Sequence, residues 1–300
     1  MPDWTHALND LHWTVSSPSL LCDSDCAVRG DVSGIESLSA VGAADVRTLI
    51  AAQPDADERL NEFLNQNPVI PVGRYFERLF EFYLRTVLQL DVIDVGKQIQ
   101  VDGRTVGELD FVFKDSDGVL CHAETAVKFY LHLSRENRTG SHFIGPNSAD
   151  HFENKTERLF SHQIPLSGTH YPEVLRRIAH VKGIIFYRPG GGPPASLPQC
   201  LSPHHLRGTW IRSSEVKAFV SEFSDECRIQ IREKPFWLAN ASLAITEANS
   251  LPTPEQAAVN LAEHFATSDR PRMLSLLQLE GERYEESQRI MVVEERWPDN

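Results

Sequence analysis

The chain has 300 residues, of which 41% are hydrophobic and 24% are charged, as is typical of a globular protein that buries a substantial core. No apolar run approaches the roughly 20 residues of a membrane-spanning helix, and no signal peptide is evident, so we expect a cytoplasmic protein with no membrane partner. The net charge of −13 argues against a general affinity for nucleic acid, which usually depends on surplus lysine and arginine. A metal held by carboxylates would reverse that negative field locally.

The five cysteines do not predict a disulfide framework, because their number is odd and the chain is long. Cys22 and Cys26 stand four residues apart, but no second pair of ligands with zinc spacing follows them. We therefore interpret the cysteines as thiols rather than as zinc ligands.

The first 70 residues predict a helical lead-in. An amphipathic segment at residues 4–13 is broken at 16–18, and residues 32–67 predict helices that are interrupted at 53–54 and end at 67–68. Residues 74–90 predict a strong helix, because Phe76, Phe80, Tyr83 and Val87 recur at helical spacing.

Strand patterns follow the helix. Residues 95–101 and 107–113 alternate, residues 114–118 form a turn signal, and residues 119–131 predict a third strand. We expect a loop at 134–147, a helix at 148–163 with Ser148 as a candidate N-cap, a helix at 172–180 and a buried strand at 183–187.

The C-terminal part begins after a glycine- and proline-rich loop at 189–194 that lacks the features of a phosphate-binding loop. Helices are predicted at 213–223 and 253–266, and strands at 273–279 and 289–293. The sequence thus predicts an α/β core with a mixed sheet flanked by helices. We divide it into a helical region at 1–70, a core at 71–190 and an α+β extension at 191–300.

A pair of carboxylates falls on the predicted hairpin. If the turn is centred on residues 115–118, facing positions sum to about 234, so Asp110 stands opposite Glu124 and Val112 opposite His122. Facing side chains have Cβ atoms about 5 Å apart, and two carboxylates that close repel each other unless a proton or a cation intervenes. Mg²⁺ prefers such oxygen ligands. In the structural alternative, Asp110 caps a turn or pairs with a cation such as Lys97.

Several motifs together resemble a known superfamily. They are Gly73-Arg74-Tyr75-Phe76-Glu77-Arg78-Leu79, then Gly107-Glu108-Leu109-Asp110, then Glu124-Thr125-Ala126-Val127-Lys128-Phe129-Tyr130-Leu131. The match extends to Leu11-His12-Trp13, Ser17-Pro18, Phe143-Ile144-Gly145-Pro146, Asp150 and Lys155. The chain resembles the PD-(D/E)XK nucleases, whose core is restriction-endonuclease-like, and within them an uncharacterised bacterial family of unknown function.

The resemblance implies a metal-dependent nuclease that acts on nucleic acid, with DNA favoured over RNA. Asp110 and Glu124 would ligate Mg²⁺ or Mn²⁺, and Glu77 would add a third acidic group from the first core helix. Glu81, one turn further along that helix, competes with Glu77 for this role.

The catalytic lysine departs from the superfamily pattern, because Ala126 occupies the position two residues after the acid. Lys128 lies on the same face but about 13 Å from Glu124 along a regular strand, so a β-bulge would be needed to bring it back. Lys155 on the following helix is the alternative source of the ammonium group. His122, beside the metal, would assist water or phosphate.

Two other functions compete with the nuclease. His122 and Glu124 also match the His-x-Glu of zinc deaminases, but Cys200 has no second cysteine three residues on to complete that zinc shell. The stronger alternative is an inactive nuclease-like scaffold that binds nucleic acid or protein, which the net charge and the displaced lysine favour.

Basic residues cluster in two groups. The first is Arg135 and Arg138, and the second is Arg176, Arg177, Lys182 and Arg188. We interpret each residue as part of a solvated face.

Overall fold

Among the residues that the structure describes, helices dominate before residue 90 and strands dominate after it. The computed structural model describes residues 4–22, 32–33, 43–53, 55–134 and 142–299. Within these ranges the protein is α/β, with a large mixed sheet flanked by helices, as the sequence predicts. The chain divides into two compact units. The first comprises Met1–Lys128, Glu153–Gly183 and Leu197–His205, and the second comprises Phe129–Phe152, Ile184–Ser196 and Leu206–Asn300.

The first unit contains six helices within the described residues. They are α1 (Ala7–Ser16), α2 (Ala43–Ala51), α3 (Ala56–Gln66), α4 (Val72–Phe82), α5 (Phe152–Arg158) and α6 (Ile164–His170). Two π-helical turns, Tyr83–Val87 and Leu159–Gln163, continue α4 and join α5 to α6. The strands are β1 (Val32–Ser33), β2 (Asp91–Val101), β3 (Arg104–Lys114), β4 (Leu120–His132) and β6 (Arg176–Tyr187). The last residues of β4 and β6 and the first residue of α5 belong to the second unit.

Two hairpins build the sheet of the first unit. Strands β2 and β3 are antiparallel and are joined by Asp102 and Gly103, whose φ angles of 50° and 75° match the two-residue turn that an Asp-Gly pair favours. Strands β3 and β4 are joined through Asp115, whose carboxylate accepts the backbone N–H groups of Asp117 and Val119. Strand β1 runs parallel to β6, so the sheet is mixed.

Helix α4 packs its aromatic face on this sheet. Phe76 and Phe80 stack on the buried ring of His180 in β6, and Phe80 also meets Phe111 of β3 edge-to-face at 5.1 Å. This face of α4 is the one that its helical periodicity predicts. The contact anchors β3 immediately beside Asp110.

The second unit is mainly β. Its elements are β5 (Phe143–Ile144), β7 (Leu206–Arg212), the 3₁₀ turn Ser213–Glu215, α7 (Val216–Val220), β8 (Arg228–Arg232), β9 (Ser242–Ala244), α8 (Ile245–Ala248), α9 (Pro254–Thr267), β10 (Arg272–Glu280) and β11 (Arg283–Val293). Helix α9 begins at a Thr253 cap that accepts the N–H of Gln256. Its buried Leu261 packs in a core with Leu274 and Ile290 from the strands.

Two predicted helices and one predicted helix cap differ from the structure. Residues 172–180 are a turn followed by the start of β6 rather than a helix, because His180 and Lys182 are buried and donate to the carbonyls of Thr14 and Ser17. The helix expected at 148–163 starts only at residue 152. Ser148 is therefore not its N-cap; it lies in a turn at a φ of 64°.

The predicted helical lead-in and loop are each interrupted by a short strand. Val32–Ser33 pairs with β6, and Phe143–Ile144 pairs with the end of β4. Cys26, Arg135 and Arg138 lie outside the described residues.

The division at residues 70 and 190 remains a prediction. None of the helices in the described ranges has the length and apolar character needed to cross a membrane.

Candidate functional site

The carboxylate pair lies where strands β3 and β4 part. The strands pair from Lys114 opposite Leu120 to Phe111 opposite Ala123, so facing positions sum to 234 as the sequence predicts. One step further, Asp110 Oδ2 accepts the backbone N–H of Thr125 at 2.8 Å, and Glu124 Oε1 lies 3.4 Å from the backbone N of Asp110. Each side chain therefore hydrogen-bonds to the opposite strand just beyond the last strand pair.

Burial raises the pKa values of both carboxyl groups. It raises the pKa of Glu124 to about 7, against the opposing effects of the Asp110 N–H and the Lys155 charge. Burial and the neighbouring Glu124 charge raise the pKa of Asp110 to about 6, although the Thr125 N–H and Lys155 act in the other direction. Burial thus disfavours the ionised forms of both groups, and raised pKa values of this kind are common at functional sites.

His122 holds one oxygen of Glu124. Its side chain is fully buried, with Nε2 2.8 Å from Glu124 Oε1 and Nδ1 3.0 Å from Ser167 Oγ. Burial lowers the pKa of His122 to about 4, so the imidazole is neutral at pH 7 and the contact with Glu124 is a hydrogen bond rather than an ion pair.

The Ser167 hydroxyl links His122 to two further groups. Arg177 can only donate, and its Nε donates to Ser167 Oγ at 3.1 Å. The single hydroxyl proton of Ser167 has two acceptors within reach, Nδ1 of His122 at 3.0 Å and the carbonyl of Ile164 at 3.3 Å. When it is donated to Nδ1, the Nε2–H of His122 donates to Glu124. Both ring nitrogens are engaged, so His122 is placed to orient Glu124 rather than to act as a base.

Lys155 reaches the other oxygen of Glu124 through Gln163. The Lys155 ammonium donates to Gln163 Oε1 at 2.9 Å, and Gln163 Nε2 donates to Glu124 Oε2 at 2.5 Å. Because a lysine can only donate, this contact also fixes the orientation of the amide. Burial lowers the pKa of Lys155, and the charge of Lys128 lowers it further. The charge of Lys155 acts on both Asp110 and Glu124.

The candidate acids on α4 differ in their surroundings. Burial raises the pKa of Glu77; its 2.7 Å bond to Arg74 lowers it, and the charges of Asp110 and Glu108 raise it. Glu77 is thus electrostatically coupled to the carboxylate pair. Glu81 instead forms ion pairs at 2.7 and 3.0 Å with arginines of its own helix and of the turn that follows it.

The basic residues at 176–188 form hydrogen bonds and ion pairs within the protein, although Arg176 and Arg188 stay partly exposed. Arg176 forms an ion pair with the buried Asp115, and Lys182 is buried and donates to the carbonyl of Ser17. In the second unit Arg188 pairs with Glu215. These contacts remove the cluster as an open basic surface.

In the structure, the partners of Asp110 differ from the turn cap or the Lys97 ion pair that the sequence offered as its structural role. Lys97 forms its ion pair with Asp94 at 3.3 Å. The polar partners of Asp110 are the backbone and hydroxyl of Thr125, at 2.8 and 3.4 Å from Oδ2.

Sequence reasoning missed Gln163, Ser167, Arg177 and Glu108 as members of the site. Glu108 stands two residues before Asp110 in β3, so the alternation of a strand places both side chains on the same face. Gln163 and Ser167 stand four residues apart across the π-helical turn and α6, a spacing that places both on one helix face. Both spacings are visible in the sequence but are weak indications of a shared site. That Gln163 faces Glu124 depends on how the helices lie on the sheet, which no local pattern encodes.

The donor set is compatible with a hard cation, although it is small. Among the residues that the structure describes, no group of three or more His, Cys, Asp or Glu side chains could hold a metal ion. Mg²⁺, however, is commonly bound through one or two carboxylates, with water and substrate phosphate completing its shell. Asp110 and Glu124, whose raised pKa values favour a neutralising cation, meet that requirement.

Comparison with known proteins identifies a family. No curated protein and no solved structure is significantly similar to the chain. The sequence profile of a family described as "Domain of unknown function (DUF1853)" matches residues 9–293, which is nearly the whole chain. The protein therefore belongs to the DUF1853 family.

Proposed function

We propose that the protein hydrolyses phosphodiester bonds in nucleic acid with a divalent metal, through a site of the PD-(D/E)XK type. One observation carries the proposal. Asp110 and Glu124 meet where two antiparallel strands part, both with raised pKa values, and the ammonium of Lys155 is bridged to Glu124 by Gln163.

Asp110 and Glu124 would hold Mg²⁺ or Mn²⁺, with Glu77 as an outer acidic group. A bound metal of this kind polarises a phosphoryl oxygen and lowers the pKa of a coordinated water. His122 and Gln163 restrict Glu124 to one orientation, which preorganises the carboxylate before substrate arrives.

Lys155 is the better candidate for the lysine of the motif. Its ammonium is linked to Glu124 through a single side chain, and its partly lowered pKa shows that it already lies in a poorly solvated position. There it would stabilise the negative charge that develops on the phosphoryl group. Lys128 would add a second positive charge nearby.

The second candidate function is an inactive scaffold that binds nucleic acid or protein. One observation favours it: Asp110 Oδ2 and both Glu124 oxygens already accept hydrogen bonds from the protein. Carboxylates satisfied in this way can serve stability alone.

A cleavage assay separates the two functions. Supercoiled plasmid, linear duplex, single-stranded DNA and RNA are incubated with the protein and with Mg²⁺, Mn²⁺ or chelator. We expect metal-dependent cleavage that Asp110→Asn abolishes and Lys155→Met slows by about 100-fold or more. Lys97→Met, which removes an ammonium from a surface ion pair, is the matched control and should cleave normally. Intact substrates under every condition would leave the scaffold as the better account.

A further inference from the structure

Two partly exposed cysteines, Cys22 and Cys200, face each other in the first unit. Leu21 and Leu201 form an isolated antiparallel bridge. Two backbone hydrogen bonds flank it, from Ser202 N to Leu20 O at 2.9 Å and from Cys22 N to Cys200 O at 3.1 Å. This pattern places Leu21 and Leu201 at a non-hydrogen-bonded pair and makes Cys22 and Cys200 the next facing residues.

The distances implied by this register suit a disulfide. Directly opposed residues at a hydrogen-bonded position have Cα atoms about 5.5 Å apart, within the roughly 4.4–6.8 Å that a disulfide spans. The thiol of Cys22 also donates to the carbonyl of Gln199 at 3.1 Å, which places its sulfur against the segment that carries Cys200. Closing the bond would need a small approach of the two Cβ atoms, at an isolated bridge rather than in a long ladder.

Accessibility separates this pair from the other described cysteines. Cys22 and Cys200 are both partly exposed, whereas Cys121 and Cys227 are buried. Burial also raises the pKa of the Cys121 thiol to about 12, which keeps it unreactive.

We propose that Cys22 and Cys200 form a reversible disulfide when the protein meets a low-molecular-weight disulfide such as oxidised glutathione. One cysteine thiolate attacks that disulfide, forms a mixed disulfide and releases one small thiol. The second cysteine thiolate then attacks the mixed disulfide and releases the second small thiol. The protein thereby loses two protons and two electrons, and the small disulfide is reduced to two thiols.

The cross-link would fix the segment that precedes Cys22 against β6. Leu20 N donates to Val181 O at 2.9 Å, and Lys182 donates to the carbonyl of Ser17, so this segment already contacts the strand. A partly exposed disulfide of this kind is expected to be labile and regulatory rather than structural. This proposal does not depend on the nuclease site.

Peptide mapping tests the proposal directly. The full-length protein is equilibrated with oxidised or reduced glutathione, its remaining thiols are alkylated, and it is digested with both trypsin and an aspartate-specific protease. Cleavage before Asp10 and Asp23 and after Lys182 and Arg207 places Cys22 in residues 10–22 and Cys200 in residues 183–207, and separates Cys22 from Cys26.

The expected product is peptide 10–22 linked to peptide 183–207, with the count of alkylatable thiols falling from five to three and returning to five on reduction. Cys200→Ser should abolish the linked peptide, while Cys26→Ser, the matched control, should leave it unchanged. A Cys22–Cys26 disulfide, glutathione adducts alone, or five thiols under oxidation would each overturn the proposal.

Discussion

At the scale of single residues, the ionised forms of Asp110 and Glu124 cost free energy in the folded protein because both side chains are buried. Burial raises their pKa values to about 6 and about 7, above the ordinary values of 3.8 and 4.5. A carboxyl group whose folded-state pKa is raised contributes stability below its unfolded pKa, and loses that contribution as the pH rises through the folded value. The metal-free protein is thus penalised by this pair near neutral pH.

Asp110→Asn should relieve part of the penalty. Its amide oxygen can still accept the Thr125 N–H, while the charge that repels Glu124 is gone. Relative to wild type, the variant's free energy of unfolding should rise as the pH increases from about 4 to about 7, by on the order of 1–3 kcal/mol. Urea titrations of both proteins with chelator at several pH values measure this difference.

Asp94→Asn is the control for that series, because it removes a carboxylate from the surface pair with Lys97 and should change stability little at any pH. If Asp110→Asn instead destabilises the protein equally at all pH values, Asp110 is a structural hydrogen-bond acceptor.

Gln163 is predicted to stabilise the site through its two hydrogen bonds. Gln163→Ala leaves the buried Glu124 Oε2 and the Lys155 ammonium without their shared partner, so we expect a loss of about 1–3 kcal/mol. Gln100→Ala, at an exposed position of β2, should cost under about 0.5 kcal/mol. Chemical denaturation compares the two variants, and equal effects would mean that the bridge contributes nothing.

At this scale the sequence predicted the register of β3 and β4, which pairs Phe111 with Ala123 next to Asp110 and Glu124, because strand register follows directly from the length of the turn. It could not predict that Gln163 and Lys155 complete the surroundings of Glu124. Those contacts depend on the π-helical turn between α5 and α6, which places Gln163 over the strand and has no reliable local signal.

At the scale of secondary-structure elements, the close approach of β4 and β6 depends on Gly183. A Cβ added at this position would lie 1.9 Å from the backbone oxygen of Lys128. The absence of a side chain at Gly183 therefore lets β6 lie beside the segment of β4 that carries Glu124 and Lys128.

Gly183→Ala should destabilise the protein strongly, by on the order of 3 kcal/mol, since the obstacle is backbone rather than a movable side chain. Gly73→Ala is the matched control: it lies in α4 with nothing within 4 Å of the added Cβ, and it should stabilise by up to about 1 kcal/mol. Thermal melting measures both changes. A Gly183→Ala protein that melts with the wild type would show that the two strands can separate freely.

Helices and strands whose hydrophobic residues recur at a clear helical or strand spacing were predicted correctly. Buried strands that contain polar residues were not. Helix α4 and strands β2 to β4 follow their sequence patterns. Residues 176–182 of β6 did not, because His180 and Lys182 are buried yet satisfied by carbonyls distant in sequence. Only the folded contacts show that these polar side chains are internal.

At the scale of the whole molecule, the net charge of −13 should make nucleic-acid binding dependent on divalent metal. Without a cation, the carboxylates repel phosphate; with one, the local field is reversed. Ca²⁺ is a hard cation with the same ligand preference. When Ca²⁺ is added, the affinity of the wild-type protein for a labelled DNA duplex should rise at least about tenfold, and the affinity of Asp110→Asn should not rise. Fluorescence anisotropy at constant ionic strength reports this, and binding that is indifferent to the cation would contradict it.

Calorimetric titration with Mn²⁺ at pH 6.5 would show whether Asp110 and Glu124 form a divalent-metal site. Because the pKa values of both carboxyl groups lie near that pH, binding should release protons, so the measured heat should differ between buffers of different ionisation enthalpy. The account predicts binding with proton release in wild type and none in Asp110→Asn. Wild-type protein that shows no binding heat at millimolar Mn²⁺ would contradict it.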